Sequence, residues 1–152
     1  MRIFTLSKEP HMNAASPVSG APRAILRLEG GLVLVSASAA YAQTGGNWSL
    51  FLLLFLVPDF SMLGYLASAR TGAVAYNIVH SYVLPLAIGL AGNSWAQPLL
   101  LDIALIWVAH IGFDRMLGYG LKYGSAFGHT HLGWLGRERT VSGDRTESPA
   151  RA

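Results

Sequence analysis

WSLFLLLFLVPDFSMLGYLA, residues 48–67, decides the fold class, because twenty residues pass with one charge, Asp59. A helix needs about 20 largely apolar residues to cross about 30 Å of hydrocarbon. The helices of a small soluble bundle keep a polar face, and this stretch has none. Working outward, three further stretches have the same character, at roughly 24–43, 72–92 and 98–118. Between them lie TGGN (44–47), SARTG (68–72) and GNSWAQP (92–98), rich in the Gly, Asn, Ser and Pro of turns. Short turns join antiparallel neighbours, so the expected fold is all-α, an up-and-down bundle of four transmembrane helices. Arg27 and Glu29 in the first turns of the first stretch leave a surface-lying helix as its alternative.

Composition agrees. Only 12% of the 152 residues are charged, against roughly 25% in soluble domains. Between Gly30 and Gly120 the charged residues are Asp59, Arg70, Asp102, Asp114 and Arg115. The chain has no cysteine, which excludes disulfides, thiolate catalysis and zinc-thiolate sites. The net charge of +3 is scattered among termini and turns, not gathered into a basic patch, so nucleic acid is not an expected partner. The expected partner is the lipid bilayer, with a homo-oligomer as a further expectation.

Lys and Arg fall on alternate sides. Arg2, Lys8, Arg23 and Arg27 precede or open the first stretch, Arg70 lies in the second turn, and Arg115, Lys122, Arg137 and Arg139 close or follow the fourth. The other two turns have neither residue. By the positive-inside rule both termini face the cytoplasm, which places the protein in the cell's inner (plasma) membrane. Residues 1–22 are small, polar and Pro-rich, with no continuous apolar core of the kind a cleaved signal peptide has, and Met12 offers an alternative start. They are expected to form a disordered cytoplasmic segment, followed by the bundle at 23–120, a membrane-interface segment at 121–135 with Tyr123, Phe127 and Trp134, and a disordered tail at 136–152.

Polar residues inside such a bundle are costly and face protein or water. At 1.5 Å per residue, Asp59 lies about 17 Å from Trp48, His80 about 14 Å from Thr71 and His110 about 12 Å from the cytoplasmic side. Three helices therefore bring a polar residue to one level in the inner half. Asp114 follows His110 by one turn on the same face, and Asn77 precedes His80. The expected pocket comprises Asp59, Asn77, His80, His110 and Asp114, with Glu29 and Tyr119 near its mouth. The first reading of this pocket is a packing or partner-binding role, since polar contacts between membrane helices contribute about 0.6–2 kcal/mol each. The alternative is a metal-dependent membrane enzyme, in which Asp59, His80, His110 and Asp114, with His131 of HTH (129–131), hold Zn, Fe or Mn through nitrogen and oxygen. A proton-linked carrier is the second alternative, because Asp and His relay protons in transporters.

ILRLEG (25–30), FLVPDFSMLGYL (55–66), GAVAYNIVHSYVLP (72–85), IWVAHIGFDRMLGYGLKY (106–123) and THLG (130–133) together resemble one family, the bacterial integral membrane proteins catalogued as domain of unknown function 4260. The resemblance covers about residues 24–133. It implies a small multi-spanning protein, and it implies neither an activity nor catalytic residues. In the family an acid commonly precedes the Thr of the last segment. Here that position is His129, which weakens it as a bearer of any shared role and leaves His131 eligible.

Overall fold

Asn47 and Ser68 start helices by accepting a hydrogen bond from the backbone N–H of Ser49 and Thr71, the standard answer to the unsatisfied donors of a helix start. Pro98 opens another, where its missing N–H costs nothing. The computed structural model describes residues 18, 20–124 and 128–134. It contains α1 (Gly20–Thr44), α2 (Trp48–Phe55), a 3₁₀ helix (Val57–Leu66), α3 (Ala69–Val79), α4 (Val83–Ser94), α5 (Pro98–Leu117) and a two-residue hairpin, β1 (His129–Thr130) with β2 (Gly133–Trp134). The molecule is mostly helical and forms four rods: α1, α2 with the 3₁₀ helix, α3 with α4, and α5.

The first three rods are long and apolar enough to cross a membrane. Their outward faces carry exposed leucines, among them Leu28, Leu32, Leu52, Leu63 and Leu90. The fourth rod bears Asp102, Asp114 and Arg115 and is the most enclosed, burying Ala104, Ile106 and the run Ala109–Gly112. α1, α2 and α4 pack against it, and the 3₁₀ helix packs on α3. At one end, Tyr41 is fully buried between Trp48 and Phe51, its ring edge-on to both at 5.4 and 5.1 Å, and the Thr44 hydroxyl donates to the Asp102 carboxylate at 2.6 Å. At the other end, the Arg27 Nε donates to the Met116 carbonyl at 2.8 Å, satisfying an open acceptor at the C-terminus of α5.

Two of the expected helices are broken. The stretch expected as one helix over 48–67 changes from α to 3₁₀ winding at Leu56, just before Pro58. The stretch expected over 72–92 stops at Val79 and restarts at Val83, with His80 closing α3 through its N–H to the Tyr76 carbonyl at 2.7 Å. Pro85 explains the second break, since its ring clashes with the carbonyl four residues back, at Ser81, in a continuous helix. α1 starts at Gly20, three residues ahead of the expected bundle boundary. The rest of the expected disordered segments, 1–22 and 136–152, falls outside the described residues apart from Val18.

Beyond α5, Gly118 takes the left-handed conformation (φ 96°) that ends a helix, and the chain turns back along α3. Asn77 grips this return at Lys122 from both sides. Its Nδ2 donates to the Lys122 carbonyl at 2.8 Å, and the Lys122 N–H donates to its Oδ1 at 2.7 Å. His131 adds a clasp, accepting from the Leu121 N–H on Nδ1 at 2.9 Å and donating its own N–H to the Leu121 carbonyl at 3.1 Å.

Candidate metal centre

Pro58 and Pro85, which break the rods, also set the position of two polar residues. Asp59 follows Pro58 at the start of the 3₁₀ helix, and His80 sits at the end of α3. His110 and Asp114 come from the enclosed face of α5, four residues apart. The four meet. The His80 Nε2 lies 3.1 Å from the His110 Nε2, 3.7 Å from Asp59 Oδ1 and 3.6 Å from Asp114 Oδ2, and the His110 Nε2 lies 3.7 Å from Asp59 Oδ1. One donor atom from each of the four falls within 4.8 Å of every other. Tetrahedral coordination at about 2.0–2.1 Å spaces its ligand atoms by about 3.3 Å, close to the four separations of 3.1–3.7 Å.

The surroundings orient both rings. The His80 Nδ1 faces the Tyr76 carbonyl at 3.0 Å, and a carbonyl only accepts, so Nδ1 carries the proton. Its Nε2 is then left with a lone pair aimed at the cluster, the arrangement in which backbone oxygens commonly fix metal-binding histidines. The Tyr76 ring stacks on His80 at 3.7 Å, and its hydroxyl donates to Asp114 Oδ2 at 2.7 Å. Phe55 meets the His110 ring edge-on at 5.2 Å. Both imidazoles are buried, whereas the Asp59 side chain is 38% exposed.

That exposure opens into a cavity of about 290 Å³ on one side of the cluster. Asp59, Asp114, Tyr119 and Lys122 form its polar wall, and Met62, Phe113 and Leu117 its apolar wall. The 3₁₀ winding matters here. At three residues per turn Asp59, Met62 and Tyr65 stack in one column, whereas an α-helix would carry Tyr65 about 120° away from Asp59. Lys122 lies against this column, its ammonium 4.0 Å from the Met62 sulfur, 5.3 Å over the Tyr65 ring and 4.3 Å over the Tyr76 ring. Burial pulls its pKa down to about 8, with Asp114 and Asp59 acting in the opposite direction.

Of the residues expected at the site, Asp59, His80, His110 and Asp114 converge and Tyr119 lines the adjoining cavity. Asn77 turns its amide to the returning backbone instead. Glu29 lies elsewhere, in a separate cavity with Tyr82 and Arg115. The reason is Gly30, the residue of α1 pressed on α5, which sets Glu29 a third of a turn round the helix. His131 serves the clasp and is not one of the converging four. The sequence reading missed Tyr76 and Lys122. Tyr76 carries a local signal, lying four residues before His80 on the same helix face. Lys122, one of two lysines in the chain, carries none.

Residues 23–135 match the model of the family described as domain of unknown function DUF4260. The chain belongs to this family. The matched region of DUF4260 includes all five α-helices in whole or large part, all four converging residues, Lys122 and the hairpin. No curated protein and no solved structure matches the chain.

Proposed function

We propose that the protein is a metal-dependent membrane enzyme whose ion is held by Asp59, His80, His110 and Asp114. The observation that carries this is the convergence of two imidazole nitrogens and two carboxylate oxygens, from three separate rods, to within 4.8 Å. Two nitrogens and two oxygens suit Zn, Fe or Mn. An ion there would polarise a substrate oxygen or a bound water, and the cavity beside Asp59 and Asp114 gives that substrate room. In this reading all four rods cross the inner membrane, both termini are cytoplasmic, and the centre lies in the inner half of the bundle.

A packing role is the competing reading. The His80–His110 contact at 3.1 Å and the Tyr76–Asp114 hydrogen bond tie helices together whether or not an ion binds. A carrier role is disfavoured for a single chain, because the cavity on the other side of the cluster is lined chiefly by apolar residues such as Leu54, Val57 and Ile103. Elemental analysis of detergent-purified protein decides between the first two. Stoichiometric Zn, Fe or Mn is expected. Metal-free protein that gains no thermal stability from any of these ions would leave the packing role.

Tyr76→Phe gives a finer test. It keeps the stack on His80 and removes the hydrogen bond that orients Asp114. Loss of such an outer partner typically lowers metal affinity by about 10–100-fold. Competition against a chelator of known affinity measures it, and an unchanged affinity would mean that Asp114 is not a ligand.

A further inference from the structure

The face of α5 that carries the metal ligands continues in both directions. Ile103 and Trp107 lie before His110 at steps of three and four residues, and Asp114 and Leu117 after it, so all five share one stripe. The stripe borders a cavity at each end. Toward the C-terminal end of α5 is the cavity of Asp59, Asp114 and Lys122 already described. At the other end is a slot of about 310 Å³ between Leu54, Val57, Val79, Ile103 and Trp107. The Trp107 indole N–H donates to the Val79 carbonyl at 2.8 Å, which fixes that ring as a wall of the slot. Val57, at 45% exposure, leaves the slot open on the lipid-facing side.

The two cavities differ in charge. Asp59 and Asp114 together match a divalent ion, and Lys122 then gives the wall of the inner cavity a net charge of plus one. The outer slot is uncharged. Each volume is near the lower end of small-molecule sites, about 300–1,000 Å³, and the candidate centre lies between them. We infer that the ligand of this centre is an anionic amphiphile, with its oxyanion head between the metal and Lys122 and its apolar chain in the slot beside Ile103 and Trp107. This rests on the metal reading. The centre would act on a molecule drawn sideways from the bilayer, near the junction of its head and chain.

The test uses the full chain in a non-ionic detergent, loaded with cobalt(II), whose visible bands report what binds the ion. Cobalt content is measured first. Decanoate and acetate are then titrated separately. Decanoate is expected to shift the bands saturably and to bind at least ten-fold more tightly than acetate. Lys122→Met is expected to retain its cobalt and lose at least ten-fold in decanoate affinity. The return segment should survive this change, since Asn77 holds the backbone of Lys122 and not its side chain. Ile103→Trp fills the slot and is expected to reduce decanoate to the affinity of acetate. Unchanged decanoate binding in Lys122→Met, or equal binding of the two carboxylates by the wild type, overturns the inference and leaves the metal reading standing. Protein that takes up no cobalt overturns the metal reading itself, before any carboxylate is added.

Discussion

A His110→Ala, Asp114→Ala double variant is expected to leave detergent purification with no stoichiometric Zn, Fe or Mn, whereas one ion per chain is the expected result for the wild type. The two residues supply one nitrogen and one oxygen of the four converging donors, and the two donors left cannot enclose an ion. The loss should also appear as stability. A ligand present at about 1,000 times its Kd stabilises the folded state by about 4 kcal/mol, so the rise in melting temperature on adding metal to apo-protein should vanish in the variant. His110 is a buried residue of α5, and its truncation leaves a void that lowers stability by itself. Asp59→Asn controls for this, because it keeps side-chain volume and removes one anionic ligand. Weakened metal binding in Asp59→Asn, with circular dichroism unchanged, is the expected companion result. Full metal content in the double variant would end the proposal.

The second large effect is expected at the crossing of α1 and α5. A Cβ on Gly112 would lie 2.7 Å from the Leu34 nitrogen and 2.8 Å from the Gly30 oxygen, and a Cβ on Gly30 would lie 2.8 Å from the Gly112 oxygen. All three are backbone atoms and cannot swing aside, so Gly112→Val must force the rods apart. Small residues allow this kind of approach between membrane helices, where dispersion contacts and not hydrophobic exclusion hold neighbours together. Overpacking typically costs about 1–3 kcal/mol, and rigid obstacles place Gly112→Val near about 3 kcal/mol. The separation should also strain the Arg27 bond to the Met116 carbonyl, which closes the same interface three to four residues away. Thermal unfolding in detergent measures the loss, and a Gly112→Val protein as stable as the wild type would show that the crossing is looser than described.

Much of this architecture is legible in the chain because lipid imposes simple rules. Uninterrupted apolar length marks the rods, and Gly45, Asn47, Ser68 and Pro98 mark where they turn. Counting the helical rise from those turns brings Asp59, His80 and His110 to one level, and the four-residue step adds Asp114. That level count holds even though two rods are broken, because Asp59 and His80 lie at the breaks themselves and little error has accumulated by then. What the sequence hides is non-local. Nothing in LKY announces that Lys122 returns along α3, since the grip depends on the Asn77 amide meeting a backbone 45 residues away. Nor does the run VPDFSMLGYL distinguish 3₁₀ from α winding, which differ by one residue in the hydrogen-bond step and share the same apolar composition. Pro58 shows that the α ladder is interrupted there but not how the chain continues afterwards.

The 3₁₀ helix ties the length of the second rod to the shape of the cavity beside Asp59. Ten residues advancing about 2.0 Å each extend roughly 5 Å farther along their axis than the same ten wound as an α-helix. A thinner hydrocarbon layer favours the shorter form, as hydrophobic segments adjust to match the layer around them. Rewinding would swing Met62 and Tyr65 out of line with Asp59 and leave the Tyr76 ring of α3 as the remaining contact beneath the Lys122 ammonium. The same ten residues therefore set both the length of the second rod and one wall of the cavity beside Asp59.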